Sequence, residues 1–357
     1  MRPLTAKTST GAKSVADSSA AATWSGSNIE PNGSAIATSA ITLSNLRKEA
    51  SGGRVDQLTF FTASRIVIVA GKGGVGKTTV SAGLAMAAAQ VGLRVLFVEL
   101  DEKPGAERIF GCSNPLGYES TEIDVVDPHI DGGHLSARRI TAQAALSDYL
   151  DSHGLGRISR RLMKSGILDI VATAAPGIDD LLVLGKIKAL DHEHMADLIV
   201  VDGPPAGQAV SMLTAPRALQ QSVGGGPIRE QAEEILELLA DGARCQIVLV
   251  TLPETTPVNE LVETAFALEE EVGVKLGPLV INNVEEHGEL FIPGSLDPQS
   301  GLVLAAQFHN SRVHLQSQEI ARLATSLALP TIELPFFPNL GSEVMAASVL
   351  EQIRLLT

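Results

Sequence analysis

Cysteine is scarce: the 357 residues include only Cys112 and Cys245. They lie far apart and form no CxxC pair, which speaks against a disulfide framework and a zinc site and predicts two reduced, buried, inert thiols. Aromatic residues make up 3% of the chain, and its one tryptophan, Trp24, falls in a stretch where a buried role is not expected. Basic charge is also short. Twenty-seven Lys and Arg face 41 Asp and Glu, for a net charge of −14. The field of the whole chain therefore repels DNA, RNA and anionic lipid, so no nucleic-acid partner is expected. Arg138-Arg139 and Arg160-Arg161 are the best candidates for a local basic patch, and both pairs read as ordinary solvated charge. No apolar stretch approaches the ~18 residues that span a bilayer, and no signal-peptide core follows Met1. A cytoplasmic protein without direct membrane insertion is the expectation. His192-Glu193-His194 sits among polar residues with no matching carboxylate or cysteine cluster, and reads as surface.

What is present is apolar and patterned. A hydrophobic content of 45% marks a globular chain with material for a large core. From Met1 to about residue 53 the sequence is rich in Ser, Ala, Thr and Gly and sustains neither a strand nor a helix period. That composition predicts a disordered tail; it also overlaps with organelle transit peptides, although arginine is scarce and no amphipathic helix is evident. From about residue 54 onward, apolar strands alternate with helices, the pattern of a doubly wound α/β fold with a mostly parallel sheet.

The most informative segment is Gly71-Lys72-Gly73-Gly74-Val75-Gly76-Lys77-Thr78-Thr79. It follows the buried-strand run Ile66 to Ala70 and opens the alanine-rich helix Val80 to Gln90, which is the context a phosphate-binding loop requires. Glycines there let successive N–H groups point at phosphate oxygens, and the helix N-terminus adds a positive dipole end. Gly73, Gly74, Val75 and Gly76 form the cradle, Lys77 reaches the β- and γ-phosphates of ATP, the Thr78 hydroxyl ligates Mg²⁺, and Thr79 touches the α-phosphate. A second apolar strand, Arg94 to Glu99, runs into Leu100-Asp101-Glu102, placing Asp101 on a loop at a strand C-terminus, where an open parallel sheet keeps its ligands. A third, Leu198-Ile199-Val200-Val201, ends in Asp202, a Walker B pattern in which the carboxylate holds Mg²⁺ through coordinated water. Further strands are expected at Gln246–Thr251 and Pro278–Asn282, with a helix over Val258–Glu271 between them. A helix over Ser311–Leu327 then leads to Thr331–Pro335.

The string GKGGVGKTT resembles the deviant Walker A loop of the MinD, ParA, nitrogenase-iron-protein and ArsA group. By that resemblance Lys72, otherwise a solvated surface charge, acts in trans on a partner's phosphates, and the protein is a homodimer. Asp101 matches the switch aspartate of the ArsA motif DPAH, although its neighbours Glu102-Lys103-Pro104 do not; a cap for the following helix is the competing reading. Asp202-Gly203-Pro204-Pro205-Ala206-Gly207-Gln208 resembles the ArsA switch DxPPTGH, with Ala206 and Gln208 as departures, and implies that the Gly207 N–H meets the γ-phosphate. Asn282 falls on the family's adenine-binding asparagine, though a strand-end cap accounts for it too. Pro335 matches the base-enclosing turn.

The resemblance runs from about Arg65 to Thr357 and, through Ala175-Pro176-Gly177-Ile178-Asp179-Asp180-Leu181-Leu182, points to actinobacterial ArsA-like ATPases. The stretch from about 111 to 195 exceeds one crossover and predicts an added helical layer. Its apolar residues Ile167, Leu168, Ile170 and Val171, with Leu181, Leu182 and Leu184, could line a client groove, but core packing explains such stripes as well. The implied activity is Mg²⁺-dependent ATP hydrolysis driving a conformational cycle on an unidentified client or membrane partner. Two unclustered cysteines cannot supply a three-sulfur arsenite site, and six scattered methionines with no CxxC do not match a tail-anchor groove with a zinc-clamped dimer. The alternatives are a MinD- or ParA-type positioning ATPase and a nucleotide-gated binding module with little turnover. The first would use a basic amphipathic C-terminal helix, whereas residues 341–357 carry only Arg354 against Glu343 and Glu351.

Overall fold

The computed structural model describes residues 57–100, 105–123, 133–152, 177–285, 288–336 and 342–356, all within the compact unit Lys48–Thr357. The N-terminal tail with Trp24, Asp101, Arg160-Arg161, the 167–171 stripe and Ala175-Pro176 lie outside the described residues. The elements begin with β1 (Ile66–Gly71), α1 (Lys77–Gln90), β2 (Arg94–Glu99), α2 (Ala106–Ile109), β3 (Thr121–Ile123), β4 (His134–Arg139), α3 (Ala142–Ser152), α4 (Ile178–His192) and β5 (Leu198–Pro205). The chain continues through α5 (Ala206–Ser222), α6 (Pro227–Ala240), β6 (Cys245–Thr251), α7 (Thr255–Ala267) with a π-turn over Leu268–Val272, and β7 (Lys275–Leu276). It closes with β8 (Leu279–Val284), α8 (Gly301–Ser326), β9 (Thr331–Pro335) and α9 (Ser342–Leu356).

Nine strands form one sheet in the order β3-β4-β2-β5-β1-β6-β8-β9, with β7 beside β6. Every pairing is parallel except β3 against β4. Parallel strands need covered faces, and β1 shows why its run is uninterrupted. Ile66, Ile68 and Ala70 enter the core beneath α4, α5, α6 and α7, while Val67 and Val69 enter the core beneath α1 and α9. The expected doubly wound α/β architecture is what the chain adopts.

Helix α1 is buried on all sides from Val80 to Ala89, because small alanines let it lie between the sheet and α9. Met345, Ala346, Val349 and Ile353 of α9 are buried in that core. The apolar side of the C-terminal helix is thus occupied by α1, and no helix among the described residues is long and apolar enough to cross a membrane.

Three features depart from the sequence reading. The 111–195 stretch holds α3 and α4 but also β3 and β4, which extend the sheet. Helix α8 starts ten residues earlier than expected, at Gly301, where the Ser300 hydroxyl accepts from the Val303 N–H at 3.3 Å. Its first half leaves Leu302, Leu304, Phe308 and Leu315 exposed, so no core-facing period marked it. Leu181 and Leu184 on α4 are core residues, at 4% and 2% exposure.

Candidate nucleotide site

Strand β1 sits between β5 and β6 in the sheet, and the loop leaving its C-terminal end turns directly into α1. Gly76 makes that turn at φ 88° and ψ 25°, the left-handed region natural to glycine. A Cβ at Gly76 would lie 2.4 Å from the Asn282 Nδ2. Helix α1 has no side-chain N-cap and no acid in its first turn. Its leading N–H groups are therefore left to a ligand, and the dipole end is not neutralised. Gly73 and Gly74 face open space, with no atom within 4 Å of where a Cβ would stand, and the same holds for Gly207 at the start of α5.

Asp202 lies across from this loop on β5, opposite Val69 in register. Its side chain is almost fully buried, at 3% exposure. The Thr78 hydroxyl donates to its Oδ2 at 2.7 Å. The Ser81 hydroxyl, one turn further along α1, lies 2.9 Å from Oδ1 and 2.8 Å from the Lys77 carbonyl oxygen. Burial pushes the carboxyl up to about 6; the hydrogen bonds from Thr78 and Ser81 and the charge of Lys77 pull it down, and Glu99 adds to the rise. Lys77 donates back to the Lys72 carbonyl oxygen at 3.4 Å, which folds its ammonium over the loop. The loop's glycines, Lys77, Thr78 and Asp202 are thus brought together. Hydroxyl and carboxylate are the hard oxygen donors that Mg²⁺ prefers, so the donor set fits that ion.

Two expected residues sit differently from their sequence reading. Asn282, at the end of β8, is buried, and its Nδ2 donates to the Val75 carbonyl oxygen at 2.9 Å. It buttresses the loop from behind, and its Oδ1 is buried with no hydrogen-bond partner among the described residues. Pro335 ends β9, the strand next to β8, opposite Val284. Lys72 is not a solvated charge: its ammonium pairs with Glu260 of α7 in the same chain.

The arginine pair beside β4 is also not solvated. Arg138 is 6% exposed and stacks over the Tyr118 ring at 4.7 Å, and Arg139 pairs with Glu99 at 2.6 Å. Both cysteines are free, but only Cys245 is buried; Cys112 is partly exposed. His192, Glu193 and His194 are exposed at the end of α4. Sequence reasoning missed Ser81, Glu99, Arg139 and Glu260. Ser81 stands three residues after Thr78 on one helix face, and Glu99 closes an apolar strand just as Asp202 does, so both carried a signal. Glu260 carried none, because only the packing of α7 places it near Lys72.

A match to the family described as anion-transporting ATPase, ArsA type, covers residues 64–225. ATPase BagA of Mycobacterium tuberculosis is 33% identical over 304 residues, spanning 76% of this chain and 87% of that protein. The chain belongs to the ArsA family of ATPases. This ArsA-family chain is also similar to ATPase GET3B of Arabidopsis thaliana, at 24% identity over 273 residues, 64% of this chain and 66% of that one. ATPase ARSA1 of Chlamydomonas reinhardtii is 26% identical over 281 residues, 64% of this chain and 36% of the relative. The family match spans the loop, α1 and β5 with Asp202, so it covers the residues just described as one site.

Proposed function

We propose that this chain is a Mg²⁺-dependent ATP hydrolase whose reaction centre is completed between two copies of the chain. The observation that carries the proposal is the contact of Thr78 with Asp202 at the head of an uncapped α1. It joins the two motifs that hold a nucleotide's phosphates and its metal. Bound Mg²⁺ would neutralise charge developing on the transferred phosphoryl group; Thr78 and Asp202 are the residues that would hold it. Lys77 supplies a point charge to the β- and γ-phosphates, and the N–H groups of Gly73 to Thr79 orient them. Asp101 orients the attacking water, and the Gly207 N–H meets the γ-phosphate. Asn282 and Pro335 border the base.

Lys72 acts on the phosphates of the second copy. In the single protomer it is held by Glu260, so reaching a partner's site requires leaving that pair. Supporting this role is its place directly after Gly71 on the mouth of the loop, with a side chain one-third exposed. The hydrolytic cycle acts on a client or membrane partner. A cytoplasmic setting fits the two free thiols.

The test compares wild type, Lys77→Ala and Lys72→Ala in nucleotide binding, turnover and mass in solution. Lys77→Ala is expected to lose Mg-ATP binding, whereas Lys72→Ala keeps binding and loses about 10³-fold in turnover, the scale of a charge supplied in trans. Unchanged turnover in Lys72→Ala, or a monomer at saturating Mg²⁺ and a slowly cleaved ATP analogue, overturns the dimeric reading.

A further inference from the structure

At the C-terminal ends of three neighbouring strands, Arg139, Glu99 and Asp202 lie in one row. Glu99 of β2 is opposite Arg139 on β4 and opposite Asp202 on β5. Side chains in register on adjacent strands share a face, so all three project toward α1 and α2. Glu99 is 1% exposed and is not part of the chemistry proposed above. Both of its oxygens are engaged. Oε2 accepts from Arg139 Nε at 2.8 Å and from its second guanidinium nitrogen at 2.6 Å. Oε1 accepts from the backbone N–H groups of Gly105 at 3.3 Å and Ala106 at 3.2 Å. One carboxylate therefore joins the end of β2, the start of α2 and β4.

The cost of this arrangement is plain. A second buried acid beside Asp202 opposes ionisation of the metal carboxylate, and Glu99 does contribute to the rise at Asp202. A buried carboxylate without a role or a partner would be strongly disfavoured. Glu99 has a partner, and that partner is a guanidinium, the side chain whose fixed fork keeps its charge when buried. The charged groups facing Glu99 are Arg139 from β4, Glu107 from α2 (whose carboxylate is 3.9 Å from Arg139) and Asp202 from β5. Lys77 of α1 balances the Asp202 end of the row.

We propose that Glu99 is a positioning residue of the nucleotide site, fixing the start of α2 to the end of β2 level with Asp202, and that Arg139 is the counter-charge that lets the two carboxylates coexist. The proposal rests on the hydrolase reading for its turnover readout, and stands without it for its binding readout. Glu99 touches no reacting atom. It sets where the chain re-enters the fold beyond β2 and how negative the surroundings of Asp202 are.

The test uses full-length wild type, Glu99→Gln, Arg139→Met and the double variant. Mg²⁺-dependent binding of a fluorescent ATP analogue and ATP turnover are followed from pH 5 to 8.5, with thermal midpoints alongside. Arg139→Met leaves Glu99 unopposed, so one of the two carboxylates takes up a proton at higher pH. The acid limb of binding is expected to move up by roughly 0.5–1 pH unit, with turnover falling about 10–100-fold and KM for ATP changing less than about threefold. Glu99→Gln removes the charge and is expected to move the limb down. Adding it to Arg139→Met returns the limb to the wild-type position or below, although the thermal midpoint stays reduced. A purely structural pair would lower all three midpoints and leave the limb where it is in wild type; that result, or a double variant no different from Arg139→Met, overturns the inference. A wild type that binds Mg-ATP but does not turn it over sinks the hydrolase reading instead, while the binding limb still decides the role of Glu99.

Discussion

Asp202→Asn should make this protein more stable and useless to its nucleotide at once. The Asp202 carboxyl titrates near 6 in the folded chain, chiefly because it is buried at 3% exposure, against ~3.9 for an aspartate in an unfolded chain. Between those values the folded protein holds a proton that the unfolded chain has released. Stability therefore falls as pH rises from about 4 to about 6 and stays depressed above, opposite to the usual salt-bridged aspartate. About two pH units at 1.36 kcal/mol each give a deficit of about 3 kcal/mol at neutral pH. Asparagine removes the charge and keeps the shape. Its Oδ1 can accept from the Thr78 hydroxyl, and its Nδ2 can donate to Ser81 Oγ, freeing that hydroxyl to donate to the Lys77 carbonyl oxygen alone. Lost attraction to Lys77 takes back part of the gain.

The net expectation is about 1–3 kcal/mol of added stability at pH 8 without Mg²⁺ or nucleotide, or a midpoint about 3–8 °C higher for a domain of this size. At pH 4 the two proteins should melt together. Saturating Mg-ATP should raise the wild-type midpoint by linkage and leave the variant unmoved. The assay is thermal unfolding at pH 4 and pH 8, with and without Mg-ATP. A variant no more stable than wild type at pH 8, or a gain that persists at pH 4, refutes the claim that the acid is held ionised against its burial for the sake of a ligand.

Gly76→Ala should lose about 2–4 kcal/mol, combining a left-handed conformation with a Cβ driven into Asn282; chemical denaturation measures it, and a loss below 1 kcal/mol would mean the loop relaxes freely. Thiol labelling of the native protein should modify Cys112 and spare Cys245, whose burial pushes its thiol up to about 12, with both reacting in denaturant. Two fast-reacting thiols in the native state would contradict the buried β6 start. Asp191 binds Arg65 at 2.7 Å and Arg244 at 2.9 Å, tying α4 to the residues that lead into β1 and β6. Both guanidiniums are one-third exposed and can turn to water, so Asp191→Ala should cost about 1–3 kcal/mol and no more, read from the denaturation midpoint.

The parts of this fold that were legible in the sequence are those where one local rule decides the outcome. β1, β2, β5 and β6 are apolar runs of strand length ending at Gly71, Glu99, Pro205 and Thr251, and burial on both faces leaves no other reading for such runs. The loop from Gly71 to Thr79 was legible because glycine and lysine at fixed spacing have a geometric purpose. Strands β3 and β4 were not, since β4 reads His-Leu-Ser-Ala-Arg-Arg and two successive arginines suggest a solvated stretch. What buries them is tertiary: Glu99 from β2 for Arg139 and the Tyr118 ring for Arg138. The π-turn after α7 escaped notice for a similar reason, because Leu268-Glu269-Glu270-Glu271-Val272 has good helix formers throughout and only packing widens its last turn.

The charges around the site follow one pattern once those contacts are known. Each carboxylate that must stay ionised near the loop has a cation assigned to it: Lys77 for Asp202, Arg139 for Glu99 and Lys72 for Glu260. The first two pairs join buried or nearly buried groups and are costly to separate. The third differs. Lys72 and Glu260 are 33% and 41% exposed, so water can take over from either partner, and a pair of this kind contributes only about 0–1 kcal/mol. Phosphate oxygens on a second copy offer a lysine more than a solvated glutamate does. The exchange of Lys72 from Glu260 to a partner's nucleotide is therefore nearly free on the donor side, which is what a charge that must act in trans, and only when two loaded copies meet, requires.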